Sequence, residues 1–334
     1  MRFLVTGGAG FIGSHIVERL LKDGHYVRVL DNFSSGKESN LFVTVDRGLS
    51  TMDYELIRGD IRDYNTCLKA CEGIDYVLHQ AALKSVPKSL VAPHDYNAVN
   101  IDGSLNILEA SLKAKVKRVV MASSSSVYGN TESFPEKETD TPLLISPYAL
   151  TKLAGEYYSR VFSANYGLET VNLRYFNVFG PRQALDDEYA VVIPKFIDCM
   201  LHDRQPPIHG NGKQSRDFTY IDNVVDANIL AATASPCKGL SPKGTVPKST
   251  FCEVFNVACG QEKSILDLVD TINKILGKSI KPILGPVRAG DVFRSLADIT
   301  KIEKLFDYKP FVNFEEGLRK TVEWFKGQKV AVVA

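Results

Sequence analysis

The stretch Phe3-Leu4-Val5-Thr6-Gly7-Gly8-Ala9-Gly10-Phe11-Ile12-Gly13 decides how the chain is read. Four β-favouring residues lead straight into glycine. An amphipathic pattern then begins, with Ile12, Ile16, Leu20 and Leu21 spaced for one face of a helix over Ile12–Lys22. Gly7, Gly10 and Gly13 form a GxxGxxG set. Glycine at such a turn permits strained φ, and the missing Cβ lets backbone approach a pyrophosphate. The helix start, at Phe11 and Ile12, adds free N–H groups and a partial positive charge. A glycine triplet alone signals no more than a tight turn; strand before and helix after make it a dinucleotide fingerprint. The next β-rich run, Tyr26–Leu30, ends at Asp31, 18 residues beyond Gly13. A carboxylate there accepts hydrogen bonds from a ribose diol and repels a 2′-phosphate, so NAD is expected over NADP. Asn32 adjoins it, and Asp60-Ile61, after the third β-rich run, is expected beside the adenine.

Working outward, strands are predicted at Phe3–Thr6, Tyr26–Leu30, Glu55–Ile57, Tyr76–Leu78, Arg118–Met121 and Thr170–Arg174. Helices are predicted near Asn65–Cys71, Asp95–Lys113 and Tyr148–Tyr166. Strands alternating with helices imply crossover connections and a parallel sheet covered on both faces. The expected architecture is α/β, a Rossmann-type doubly wound parallel sheet with a smaller mixed α/β C-terminal lobe. The boundary is placed at residue 177, with segments near 218–234 and 252–258 returning to the first domain and 178–334 otherwise forming the second. Ser235–Ser249, rich in Pro, Gly and Ser among lysines, reads as a surface loop. Cys237 and Cys252 flank it and are expected to stay unpaired.

Composition narrows the class. The chain has 334 residues, 44% hydrophobic and 24% charged, and a formal charge of +1. That excludes a disordered or disulfide-scaffold class, and no global basic field exists to draw nucleic acid or an anionic membrane. Six cysteines without a CxxC pair fit a reduced, cytoplasmic compartment. Cys67 and Cys71 are read as packing residues of a helix. No signal-like or membrane-length apolar stretch is visible, and His15, His79 and the other histidines lack ligand spacing, so no metal is expected.

Three separated features point to one chemistry. Tyr148 and Lys152 are four apart at a helix start, so both project from one face. Ser123, Ser124, Ser125 and Ser126 follow the fifth strand at the carboxyl edge, where ligands bind in open α/β sheets. The glycine turn directs a nicotinamide to the same edge. Oxidising an alcohol requires a base for the hydroxyl proton while hydride leaves from carbon. A free Tyr titrates near about 10, and a depression of ~3 units needs only ~4 kcal/mol of differential interaction. Lys152 and the oxidised ring are expected to supply it, with Ser124 bonding the reacting oxygen.

The segments TGGAGFIG, DNFSSGK, Ser-Val-Tyr-Gly, SPYALTK and LRYFNVFGPRQ together resemble the extended short-chain dehydrogenase/reductase superfamily, and within it the nucleotide-sugar 4-epimerases, over nearly the whole length. The resemblance implies an NAD-binding Rossmann domain, a UDP-sugar-binding C-terminal domain, and a homodimer through a four-helix bundle of Asp95–Lys113 and Tyr148–Tyr166. It assigns Gln80, Ala81, Ala82, Lys84 and Asn100 to NAD. Toward substrate it assigns Ser85, the run Ser124–Ser126, Asn177, Arg216 and Arg288 on the diphosphate, and Asp291 on a ribose hydroxyl. In 4,6-dehydratases and UDP-glucuronate decarboxylases, acidic residues precede Val-Tyr-Gly. Here Ser124-Ser125-Ser126 stands there, leaving alcohol oxidation and return of the hydride, the requirement of a 4-epimerase. A Tyr at the position of Ser295 closes the family's sugar pocket; the small Ser295 implies that UDP-GlcNAc and UDP-GalNAc enter, with UDP-Glc and UDP-Gal the alternative. A uronate 4-epimerase or 4-keto-sugar reductase is a second reading. A non-catalytic NAD-sensing regulator is a third, against which retention of Tyr148 and Lys152 argues.

Overall fold

A computed structural model describes residues 1–41, 53–185, 192–234, 251–286 and 292–332, with side chains through 328. Seven strands form one sheet: β1 (Arg2–Thr6), β2 (Tyr26–Asp31), β3 (Tyr54–Arg58), β4 (Tyr76–His79), β5 (Arg118–Ser124), β6 (Glu169–Tyr175) and β7 (Cys252–Val257). Their spatial order is 7-6-5-4-1-2-3, and every pairing is parallel. The chain reverses its direction of winding between β1 and β4, which opens a crevice at the carboxyl ends of those strands.

Alternation along each strand sends neighbouring side chains to opposite faces. Phe3 and Val5 of β1 face one layer, with Ile16, Val17 and Leu20 of α1 (Phe11–Lys22). Leu4 faces the other, with Cys67, Ala70 and Cys71 of α2 (Tyr64–Cys71) and Ile107 and Leu108 of α3 (Gly103–Lys113). Continuous apolar strands are the consequence of burial on both faces. The helix α5 (Ile221–Thr233) returns from the C-terminal half to the α1 layer, contributing Val224, Val225 and Ala227 to that core. Helices Val192–Leu201, Ile265–Leu276 and Phe314–Val332 build the second lobe, and Phe196, Leu268 and Leu318 join the same core.

The helix that carries the paired Tyr and Lys, α4 (Pro147–Tyr166), has clear start and stop chemistry. Ser146 caps it by accepting from the Ala149 amide at 3.1 Å, Pro147 occupies the first turn, and Gly167 ends it at φ 74°. These residues fix the phase of Tyr148 within the first turn.

Two local expectations change. The single helix predicted over Asp95–Lys113 is instead Pro93–Asn97, a π-helical turn Ala98–Asp102, and α3. The widened turn carries Asn100 inward, where its side chain takes both the amide (2.8 Å) and carbonyl (2.9 Å) of Leu83. A short helix Val86–Val91, absent from the sequence reading, is capped by Ser85. Pro87 reads as a breaker in sequence, but the first turn of a helix tolerates it. Cys237 lies outside the described residues.

Candidate active site

The crevice is a cleft of about 430 Å³ whose walls include Gly7, Gly10, Phe11, Ile12, Gly13, Asp31, Asn32, Asp60 and Ile61 on one side of β1. Gln80, Ala81, Ala82, Lys84, Ala122, Ser123, Tyr148, Lys152 and Tyr175 line the other. The glycine turn is as tight as its sequence implies. Gly7 has φ +67°, and a Cβ there would stand 2.7 Å from the Ala81 amide nitrogen. A Cβ on Gly13 would stand 2.2 Å from the Gly7 carbonyl oxygen. No side chain caps α1 at Gly10, so the first-turn amides stay available for an anion.

Asp31 ends β2 buried beside this turn. One carboxylate oxygen accepts from Ala9 N at 2.9 Å and the other from Phe33 N at 2.8 Å. The carboxylate therefore shapes the turn, and the lone pairs left over face a cleft able to hold a ribose diol. Asn32 donates to Asp60 at 2.8 Å. Hydrogen bonds from Arg62 hold the Asp60 carboxyl well below the usual carboxylate range. These donors and acceptors, with the cradle that only glycines allow, fit a dinucleotide.

On the opposite wall, Tyr148 stands near Ser124, whose hydroxyl favours the ionised phenol, and its ring meets Tyr96 edge-on at 6.4 Å. Lys152 Nζ donates to the Ala122 carbonyl at 2.8 Å and lies 6.0 Å from the Tyr148 ring centre. Burial lowers Lys152 to about 8. Burial also pushes the Tyr148 phenol up, and the nearby Ser124 hydroxyl opposes it without overcoming it. Desolvation is thus the larger effect on Tyr148, while the Lys152 ammonium, anchored on a main-chain carbonyl, keeps its charge beside the ring. His79, bonded to Thr6 and Ser104, is buried and lowered to about 3, a neutral core residue.

Several assigned residues do not line the cleft. Asn100 is 2% exposed, with its amide shared between Leu83 and Thr151. It positions the Gln80–Lys84 segment instead of touching the cleft. Ser85 is a helix cap, accepting from Lys88 N at 3.3 Å, and is likewise absent from the cleft wall. Ser124 and Ser126 bond to each other at 3.1 Å beneath the wall, and Ser125 opens the short turn Ser125–Tyr128. Asn177 takes φ 25° directly after β6, its carbonyl accepting from Thr219. Arg216 donates to the carbonyls of Ser215 and Phe293. Ser295 is 7% exposed, with its Oγ 3.3 Å from the buried Glu136 carboxyl. Arg288 and Asp291 lie outside the described residues.

Sequence reasoning missed Lys37, Asn40 and Arg182 on the cleft wall, and Tyr175, whose hydroxyl joins Gln80 (3.1 Å) and Asn228 (3.0 Å). Lys37 stood in the quoted DNFSSGK segment, so a signal existed; Asn228 comes from α5 and had none. Among the described residues no three His, Cys, Asp or Glu side chains gather as a metal site, and no helix is long and apolar enough to cross a membrane.

Comparison with known proteins bears on this geometry. Residues 3–239 match the model of the NAD dependent epimerase/dehydratase family. A UDP-glucose 4-epimerase from Mycolicibacterium smegmatis is 37% identical, covering 98% of this chain and 99% of its own. The solved UDP-N-acetylglucosamine 4-epimerase from Methanobrevibacter ruminantium, in complex with UDP-N-acetylmuramic acid, is 42% identical with a TM-score of 0.88, covering 98% of both chains. The UDP-glucuronic acid 4-epimerase from Bacillus cereus, solved with UDP-glucuronic acid and NAD, is 34% identical with a TM-score of 0.85, covering 98% of this chain and all of the other. The likeness runs across nearly the full length of the chain, which belongs to the NAD-dependent epimerase/dehydratase family.

Proposed function

We propose that the chain is an isomerase that inverts C4 of a UDP-hexose through a 4-keto intermediate, acting on UDP-GlcNAc/UDP-GalNAc and also on UDP-Glc/UDP-Gal. The observation that carries this reading is Tyr148 and Lys152 side by side on the cleft wall, with serines where elimination or decarboxylation would need a carboxylate. NAD in the cleft supplies a hydride acceptor and donor and, when oxidised, a positive ring that lowers the phenol. Tyr148 takes the C4 hydroxyl proton and returns it to the same oxygen after the sugar has turned over. Ser124 holds that oxygen, and Lys152, anchored on Ala122, fixes the helix face and keeps positive charge nearby. Residues 1–177 with the returning segments are read as the NAD unit, and 178–334 otherwise as the UDP-sugar unit, where Arg216, Arg288, Asn177 and Asp291 hold the nucleotide.

The choice of N-acetylated sugar rests on the small Ser295 and on likeness to the UDP-N-acetylglucosamine 4-epimerase; the Bacillus cereus relative favours a uronate as the second reading. Leu150, Tyr157 and Val161 leave an exposed apolar stripe along α4, which supports a homodimer through that helix. Incubating the purified protein with UDP-GlcNAc, UDP-Glc or UDP-GlcA, without added NAD, followed by chromatography, tests the reaction. Conversion to the C4 epimer without NADH accumulation is expected. Stoichiometric NADH would make the enzyme a dehydrogenase.

A further inference from the structure

Beyond the wall residues lies a buried ion pair that the proton-transfer chemistry does not use. Tyr148, Lys152 and Glu156 are spaced four apart on α4 and so share one face of the helix. Three consecutive residues at the carboxyl end of β5 meet them. Ser124 stands near Tyr148, the Ala122 carbonyl accepts from Lys152, and Ser123 Oγ donates to Glu156 Oε1 at 2.5 Å. Glu156 is gripped from the next strand by Arg174, with Nε to Oε1 at 2.9 Å and Nη2 to Oε2 at 2.7 Å. The two side chains are 6% and 4% exposed. Arg174 also lies over the Tyr128 ring, 4.8 Å from its centre, and Tyr128 donates to Asn256 of β7 at 2.6 Å.

Burying two charges costs desolvation that their attraction only about repays, and an apolar pair of similar volume is often equally stable. What an apolar pair lacks is direction. A planar guanidinium on a carboxylate fixes both distance and orientation. Here that fixed geometry joins β6 to α4, and Ser123 joins the same carboxylate to β5, one residue from Ser124. We propose that Glu156 and Arg174, acting through Ser123, are positioning residues that set the register of α4 on β5 and thereby hold the Tyr148 hydroxyl on Ser124. The inference rests on Tyr148 and Ser124 being the proton-transfer site, and does not depend on which UDP-sugar is used.

Two variants of the holoenzyme test it: Ser123→Ala, which cuts only the link to β5, and the double change Glu156→Leu with Arg174→Leu. The double variant removes both charges together, so the net field at Tyr148 changes little and geometry is what is altered. Expected results are unfolding midpoints close to wild type or higher in the double variant, KM within about threefold, and kcat lower by roughly 10- to 100-fold. Ser123→Ala is expected to lower kcat by about tenfold with the same near-constant KM. Independently of activity, ¹³C-tyrosine NMR, with Tyr148→Phe assigning the resonance, is expected to show Tyr148 titrating higher in both variants, because the Ser124 hydroxyl that favours its ionised form is no longer held in place. A kcat within twofold of wild type in both variants, or an unmoved Tyr148 titration in both, overturns the proposal. Should the double variant fail to fold, Ser123→Ala decides alone. Should wild type convert none of the three UDP-sugars, the functional reading fails by itself, and the Tyr148 titration still decides the positioning role.

Discussion

Glu136→Gln is expected to change how stability depends on pH. Glu136 is 2% exposed, its carbonyl is held by Asn256 and Asp298, and its carboxyl meets the Ser295 hydroxyl and the Leu296 backbone amide. Burial raises it to about 8 from an ordinary 4.5. In the unfolded chain the group ionises from about pH 4.5 upward, whereas in the folded protein it keeps its proton to about pH 8. Between those limits the native state binds more protons, so stability falls as pH rises; the contribution is intact below the lower limit and lost by the upper one. The slope from this single group approaches ~1.4 kcal/mol per pH unit across the window, and between about pH 5 and pH 8.5 the loss sums to roughly 3–4 kcal/mol. Asp217, raised by burial to about 6, acts in the same direction in both proteins, and its charge adds to the rise at Glu136. Glutamine keeps the shape and can still bond Ser295, without a charge to desolvate. Urea unfolding of wild type and variant at a series of pH values reads the effect. The variant is expected to be nearly isoenergetic at low pH and more stable by several kcal/mol at high pH. Parallel profiles, differing by less than about 1 kcal/mol over the range, would refute the argument that desolvation governs this carboxyl.

Tyr148→Phe removes the proton acceptor while keeping the buried ring; kcat is expected to fall by about 10²–10⁴-fold with NAD retained, as absorbance of the purified protein and a turnover assay will read. Ser295→Tyr fills the space beside Glu136, and rates on the three UDP-sugars should show N-acetyl turnover lost and UDP-Glc turnover spared; an unchanged preference discards the pocket-size reading. Gly13→Ala places a Cβ 2.2 Å from the Gly7 carbonyl, a backbone atom with no rotamer to move, so the glycine turn must open. NAD content is expected to drop sharply, measured by releasing nucleotide from the denatured protein. Tyr157→Glu puts charge into the exposed stripe of α4, and light scattering should record dissociation of a dimer; an unaffected mass would place the interface elsewhere.

How much of the site was legible depended on whether local chemistry or distant packing placed each residue. The glycine turn, Asp31 and the Tyr148–Lys152 spacing were readable because each is dictated within one strand–turn–helix unit or one helical turn. Ser146, Pro147 and Gly167 delimit α4 in the same local way. The backbone partners of Asn100 and Ser85 were not legible, because a side chain amide and a serine hydroxyl serve backbone as readily as a ligand, and only the fold shows which backbone is within reach. The electrostatics were the least legible. A sequence shows that Lys152 is near Tyr148, but not that its ammonium is bound to the Ala122 carbonyl, or that burial dominates the phenol.

The sequence by itself determined the parallel α/β architecture, the glycine cradle and the Tyr148–Lys152 pair on one helix face, since periodicity, glycine and helical spacing act over a few residues. Only the tertiary structure decided that the returning segment near residue 252 pairs parallel with β6 at the sheet edge, and that Asn228 meets Gln80 and Tyr175. Only there could Ser123, Glu156 and Arg174 close a buried brace behind the reacting wall. Those groups come from separate strands and helices, and their energies depend on desolvation and direction, which exist only once the chain has folded.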